Sequence, residues 1–184
     1  MTTTQMVTHV RTLFDEDSAG FYTDDMIKRS LDNGQKILAN MLYQMKRHNL
    51  LYTLETSSTR AYSVLTLPTD FWMYKSCLLN DYPCRLRTGD KDIKEGNSYL
   101  VGATTDPYIY VGSSIDFSPT PAGGQYTFTY YKNVSDITST NPNLPSATHL
   151  TICQYAFADL LLRDSKHQEA VVEFEKFHKM VADL

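Results

Sequence analysis

His149 and Cys153 stand four residues apart in "THLTICQYAF", a spacing that puts both side chains on one face of a helix, where they could share a metal ion. No second pair completes a four-ligand set, so the bland reading is preferred: Cys153 is a small core residue and His149 an exposed one near a helix start. Residues 15–20, "DEDSAG", begin like a calcium loop, but the pattern fails at its fifth position, Ala19, and at its twelfth, Met26, where a bidentate Glu is needed. It reads as a solvated acidic loop. The paired carboxylates Asp24 and Asp25 sit where a helix dipole favours anions. His9, His48, His167 and His178 read as helix-surface residues. There is no nucleophile elbow, phosphate-binding loop or dinucleotide fingerprint. The expectation is a protein that is not an enzyme and holds no metal or cofactor.

Composition narrows the remaining classes. The 184 residues suit one domain, and 42% hydrophobic with 21% charged residues suits a packed core. The formal charge of −4 argues against a nucleic-acid binder, which needs clustered Lys and Arg to neutralise phosphates. Cys77, Cys84 and Cys153 are odd in number and scattered, so a disulfide framework is not expected and a reducing compartment fits. "MTTTQMVTHV" has no long apolar run, so neither a signal peptide nor a membrane span is expected.

The elements follow from periodicity. Met6 to Phe14 reads as a short helix. Thr23 is a good N-cap, and Tyr22 and Ile27 have the spacing of a hydrophobic staple. Ile27, Leu31, Leu38, Met41, Leu42 and Met45 then mark one face of a helix over residues 24–48, ~40 Å long. Gly34 falls on that face and would allow another helix to approach closely. Near the other end, Leu150, Cys153, Phe157, Leu160 and Leu161 form a second stripe. Ser165-Lys166-His167-Gln168 has the form of a capping box, and Ala170, Phe174, Phe177 and Val181 give a third buried face. So short a break implies a helical hairpin. The polar face of the last helix carries Glu169, Glu173, Lys176 and Lys179.

Between the helices the period falls to two. "LYTLET" and "AYSVLTLP", joined by "SSTR", predict a hairpin, and "YKSCLL", "CRLRT" and "PYIYV" predict further short strands. Pro119, Pro121, Gly123 and Gly124 predict a tight reversal. After it Tyr126, Phe128 and Tyr130 point one way and Thr127, Thr129 and Tyr131 the other, which predicts a half-buried antiparallel strand. The expected fold is α+β: a helical bundle built from the N- and C-terminal helices (residues 1–50 and 145–184), an inserted small antiparallel β-sheet subdomain (51–133) and a connecting segment (134–144). Many of the 13 tyrosines fall in the sheet region. An ordinary core accounts for some of them, and an exposed aromatic face used for subunit contact accounts equally well for others.

Four stretches, in order, carry a family resemblance: "FYTDDMIKRSLDNGQKILAN", "LPTDFW", "DPYIYVGSSIDFSPTPAGGQYTFTYYK" and "LPSATHLTICQYAFADLLLRDSKHQEAVVEFEKFHKMVADL". Together they span most of the chain, and the sequence resembles a bacteriophage head-to-tail adaptor. The resemblance implies a structural virion protein of the neck, assembled in the host cytoplasm. It implies a self-assembled ring, typically of twelve copies, beneath the portal protein and above the tail or nozzle protein. DNA would pass through its lumen without sequence-specific binding, and the acidic balance fits a channel that grips DNA weakly. Tyr108, Tyr110, Phe117, Tyr126, Tyr130, Glu173 and Lys176 are the expected interface residues. Some adaptors dock on the portal through a tail beyond the last helix. Here the sequence closes at Leu184, so the helix surface, "MTTTQMV" or a loop is expected to take that role. The alternatives are another phage neck or tail-completion protein, a soluble protein-interaction module, or a small enzyme of unfamiliar site.

Overall fold

In the computed structural model Thr23 caps the longest helix as its sequence anticipates, its hydroxyl accepting a hydrogen bond from the Met26 N–H at 3.3 Å. The description covers residues 1–16, 20–51, 53–58, 64–79, 82–87, 108–112, 114–118, 126–137 and 141–184, without the side chains at 54–58, 64, 65, 79, 82, 87, 108, 110 and 116–118. Within it the chain forms two compact units, Met1–Tyr52 with Val134–Leu184, and Thr53–Asn133. The fold is α+β, with helices toward both termini and strands between them. The turn at 119–125 and the polar stretch at 88–107 lie outside the described residues.

The first unit contains α1 (Thr3–Leu13), α2 (Asp24–Gln44), α3 (His149–Arg163) and α4 (His167–Ala182). Helix α1 starts earlier than its apolar pattern predicts because Thr2 and Gln5 form a reciprocal capping box. Helix α2 buries Ile27, Leu31, Gly34, Leu38 and Leu42, but it ends at Gln44, so Met45 is exposed. Its termination is a backbone event. Lys46 takes φ 59°, its N–H reaches the Tyr43 carbonyl, and the Arg47 N–H reaches the Leu42 carbonyl. That is a Schellman motif, and it recurs at the ends of α1 and α3 with Asp15 and Ser165 in the left-handed position.

The last of these corrects the expected capping box. Ser165, at φ 61°, closes α3 instead of opening α4, whose N-cap is Lys166 with no side-chain hydrogen bond. The helical hairpin itself is present, and α3 is its centre. It packs against α1, α2 and α4, so its buried set wraps the helix: Thr151, Ile152, Cys153, Ala156, Ala158, Leu160 and Leu161. Leu150, assigned to the stripe from sequence, is exposed. Gly34 meets Tyr155 of α3 so closely that an added Cβ would lie 2.8 Å from the ring. Glycine is what lets these two helices approach.

The second unit contains two four-stranded sheets. One has the order β1 (Thr53–Ser58), β8 (Tyr126–Lys132), β3 (Phe71–Leu79), β4 (Tyr82–Pro83). The other has the order β2 (Val64–Thr66), β7 (Ser114–Ser118), β6 (Tyr108–Val111), β5 (Arg85–Arg87). Pairings are antiparallel except β5 with β6, which is parallel. Among the described residues the expected hairpin of the first two strands is not formed. β1 pairs with β8 and β2 with β7, so consecutive strands enter different sheets. Nor do the described residues of β7 and β8 pair with each other. The edge position of β4 accommodates Pro83, which has no N–H to donate.

Strand β8 lies between β1 and β3, and both its faces are covered. Tyr126, Phe128 and Tyr130 are buried, as the alternation predicts, but so are Thr129 and Tyr131 on the other face. The half-buried strand of the sequence reading is therefore a central one. Phe128 is fully buried, with the rings of Phe71, Tyr74 and Tyr130 at centroid distances of 6.1, 5.8 and 5.9 Å. Ile109 and Ile115 from the other sheet join the same core.

Candidate interaction surface

The charged and polar groups of the first unit are used mainly to fasten its segments. Arg11 is buried on α1. It donates to the Tyr22 carbonyl at 3.0 Å and to Asp24 at 2.6 Å, with Glu16 at 3.4 Å. Asp24 and the acidic loop therefore do more than complement a helix dipole. They neutralise a buried guanidinium, which would otherwise be costly to hold out of water. Residues 17–19 of that loop, Ala19 included, lie outside the described residues.

A second fastening holds the segment that returns from the sheet. Asp32 accepts from the Ile137 N–H at 3.1 Å, and Lys36 bridges Asp32 at 2.6 Å and Asp136 at 2.8 Å. Gln35 donates to the Ser135 carbonyl and accepts from the Asn143 N–H, both at 2.9 Å. The attraction between Lys36 and Asp136 pushes the lysine pKa up and the carboxyl pKa down. On α2, Gln35 and Asp32 are thus buried ties, with Lys36 exposed beside them. Each is unremarkable in sequence, because its partner lies about a hundred residues away.

His149 overturns the expectation of exposure. It is buried at the start of α3, with Nε2 2.9 Å from the Leu144 carbonyl and Nδ1 2.7 Å from the Met1 ammonium. The ammonium can only donate, so Nδ1 accepts and Nε2 carries the proton. Burial, reinforced by the ammonium charge, depresses its pKa below the ordinary value of 6.5. Cys153 is fully buried, with Sγ 3.9 Å from the Met6 carbonyl, and burial pushes its thiol up to about 12. Among the described residues no group of three or more His, Cys, Asp or Glu could hold a metal ion. No helix among them is long and apolar enough to cross a membrane.

The residues expected at an interface divide into three sets. Tyr126 and Tyr130, 3% and 4% exposed, are core residues of the second unit, not members of an exposed aromatic face. The strand that carries them is central, so their rings fill the space between sheets. Tyr130 also donates to Asp70 at 2.8 Å; burial and this carboxylate push its pKa up to about 12. Tyr108 and Tyr110 lie on β6 and Phe117 on β7, and their side chains are outside the described set. Glu173 and Lys176 lie on α4, 2.7 Å apart, and Glu173 also accepts from Gln154 of α3 at 2.7 Å. Glu173 is therefore partly committed to the helical hairpin, whereas Lys176 stays exposed.

Helix α4 holds to its unit by a seam of Ala170, Phe177 and Val181, with the Phe174 ring edge-on to Tyr155 of α3 at 5.5 Å. Its other faces are open, and Val171, 57% exposed, and Val172 stand among Glu169, Glu175, Lys176 and Lys179. Leu150, Leu162 and Phe21 are further exposed apolar side chains of this unit. The sequence reading missed Val171 and Val172. Their signal is two adjacent β-branched residues beside a helical stripe that does not require them.

No catalytic constellation emerges from these placements. The described side chains close cores, fasten segments or present mixed apolar and charged surface. No curated protein matches the chain. A family model does, across residues 1–184, and its description is the SU10 adaptor protein. The chain belongs to the SU10 adaptor protein family, a family of structural phage adaptors that act in the virion with other virion proteins.

Proposed function

We propose that the protein is a head-to-tail connector, forming a ring in the virion neck that joins the portal protein to the tail or nozzle protein and leaves a channel for DNA. The observation that carries this reading is the match to an adaptor family along the whole chain. The open faces of α4 support it, because exposed valines set among charges suit contact with another protein surface better than with DNA. In this reading Tyr108, Tyr110 and Phe117 contact a neighbouring copy or partner, with Lys176 and Glu173 at the rim. Tyr126 and Tyr130 act from within by holding β8 in place.

Light scattering after size exclusion, with and without a purified portal ring, tests the proposal. The expected result is a monomer or weak self-association alone and a ring of about twelve copies on the portal. A small stable oligomer indifferent to the portal would overturn it. Tyr108→Asp and Tyr110→Asp should weaken ring assembly while circular dichroism stays unchanged. Unaltered assembly would remove these tyrosines from the interface.

A further inference from the structure

Cys77 and Cys84 were read from the sequence as unrelated thiols, but the sheet brings them together. β3 and β4 pair with Leu78 opposite Pro83 and Leu79 opposite Tyr82, which sets Cys77 opposite Cys84 in the next register position. The Cys84 N–H donates to the Cys77 carbonyl at 2.8 Å, so the pairing extends through that position. Residues directly opposite in such a hydrogen-bonded antiparallel pair have Cα atoms about 5.5 Å apart. A disulfide spans Cα separations of roughly 4.4–6.8 Å. Residues opposite each other also project to the same face, and both side chains are buried in one core cluster with Phe128 and Tyr130.

We propose that Cys77 and Cys84 are a cross-strand dithiol that a small-molecule disulfide oxidises to an intramolecular bond, locking β4 onto β3. Both thiols are free in the structure. Cys84 is the entry point: it is 8% exposed against 1% for Cys77. The neighbouring Cys77 thiol favours the Cys84 thiolate, and Cys84 together with burial pushes the Cys77 pKa up; in the structure Cys77 Sγ donates to the Leu78 carbonyl at 3.8 Å. The Cys84 thiolate attacks one sulfur of oxidised glutathione and expels one glutathione thiolate. Cys77 then attacks the Cys84 sulfur of the mixed disulfide, its proton leaving to solvent, and expels the second. Two protein thiols lose two electrons, and one glutathione disulfide becomes two glutathione thiols.

The consequence for a particle rests on the adaptor reading: a virion protein folds in a reducing cytoplasm and later meets an oxidising exterior. The chemistry does not rest on it, and the isolated full-length chain tests it whether or not a ring forms on the portal. Native protein is incubated with oxidised glutathione, quenched with acid and unfolded for thiol titration, intact mass and peptide mapping. The expected result is a fall from three titratable thiols to one, Cys153, with a single peptide link between Cys77 and Cys84. The thermal midpoint should rise by roughly 5 °C on oxidation. Cys153→Ser should keep that rise and Cys84→Ser should lose it. Should Cys84→Ser fail to fold, the thiol count and peptide map of the unsubstituted chain decide alone. Three remaining thiols, a lasting glutathione adduct with Cys77 free, or a bond to Cys153 would each overturn the proposal.

Discussion

The two units are made cohesive by different means. In the first, helices meet along apolar seams and are fastened by polar ties: Arg11 to Asp24, Asp32 to the Ile137 N–H, Gln35 to Ser135 and Asn143. In the second, an aromatic column on β8 and β3 fills the space between sheets, and Asp70 receives the Tyr130 hydroxyl at its edge. Helix packing and sheet pairing both join distant segments: α2 (Asp24–Gln44) packs on α3 (His149–Arg163), and the strands pair across comparable spans. Thr53 faces Tyr131, for example, and Phe71 faces Lys132. Helical cohesion is spread over many modest contacts, while cohesion of the sheets concentrates in a few large rings.

Substitutions that test this contrast rank by size. Phe128→Ala empties the middle of the aromatic column and should destabilise the second unit by about 3–5 kcal/mol. Loss of amide protection in β1, β3 and β8 would show it, and retained protection would mean that the column is not where cohesion concentrates. Gly34→Ala places a methyl group against the Tyr155 ring, a strain of about 1–3 kcal/mol that outweighs the ~1 kcal/mol helix-propensity gain of alanine in most of that range. Chemical denaturation should give a lower midpoint. A higher one would show that Tyr155 swings aside at little cost.

A smaller effect should appear with acid. The depressed His149 pKa means that the unfolded chain takes up its proton first as pH falls. The stabilisation is complete above the ordinary value of 6.5 and is lost progressively below it, down through the folded-state value. Melting curves between pH 7 and 5 should fall more steeply for the unsubstituted chain than for His149→Gln, and parallel slopes would remove His149 as the cause. Smallest, Ser165→Gly relieves a left-handed residue at the α3 terminus and should raise stability by about 0.5 kcal/mol, offset in part by the freer unfolded chain. An unchanged or lower melting temperature would show that Ser165 carries no strain there.

What was legible in the sequence is what local chemistry sets. The α2 face, the Thr23 cap, the close approach at Gly34 and the terminal helical hairpin all follow from spacing and local chemistry, and the structure contains them. The strand on Tyr126–Lys132 was legible too, but not its central place, because alternation describes one strand and says nothing of its neighbours. The hairpin expected across "SSTR" is not formed among the described residues, for the same reason. His149 looked exposed because a helix start is ordinarily wet. One of its two ring partners is the Met1 ammonium, nearly the full length of the chain away. Ser165 was misread because a serine two residues before a helix resembles a cap, whereas here the preceding helix claims it.

The first unit draws on both halves of the chain, and this has a consequence for synthesis. α2 ends at Gln44, and α3, its main packing partner, begins at His149. At ribosomal speeds of about 5–20 residues per second, the nascent α1 and α2 wait roughly 5–20 s for that partner. Their apolar faces remain uncovered meanwhile, which makes this interval the natural moment for a chaperone to engage. Ribosome-arrested chains halted before His149 should be cut readily by protease within α1 and α2, and resistance there would mean that the early helices have found another shelter.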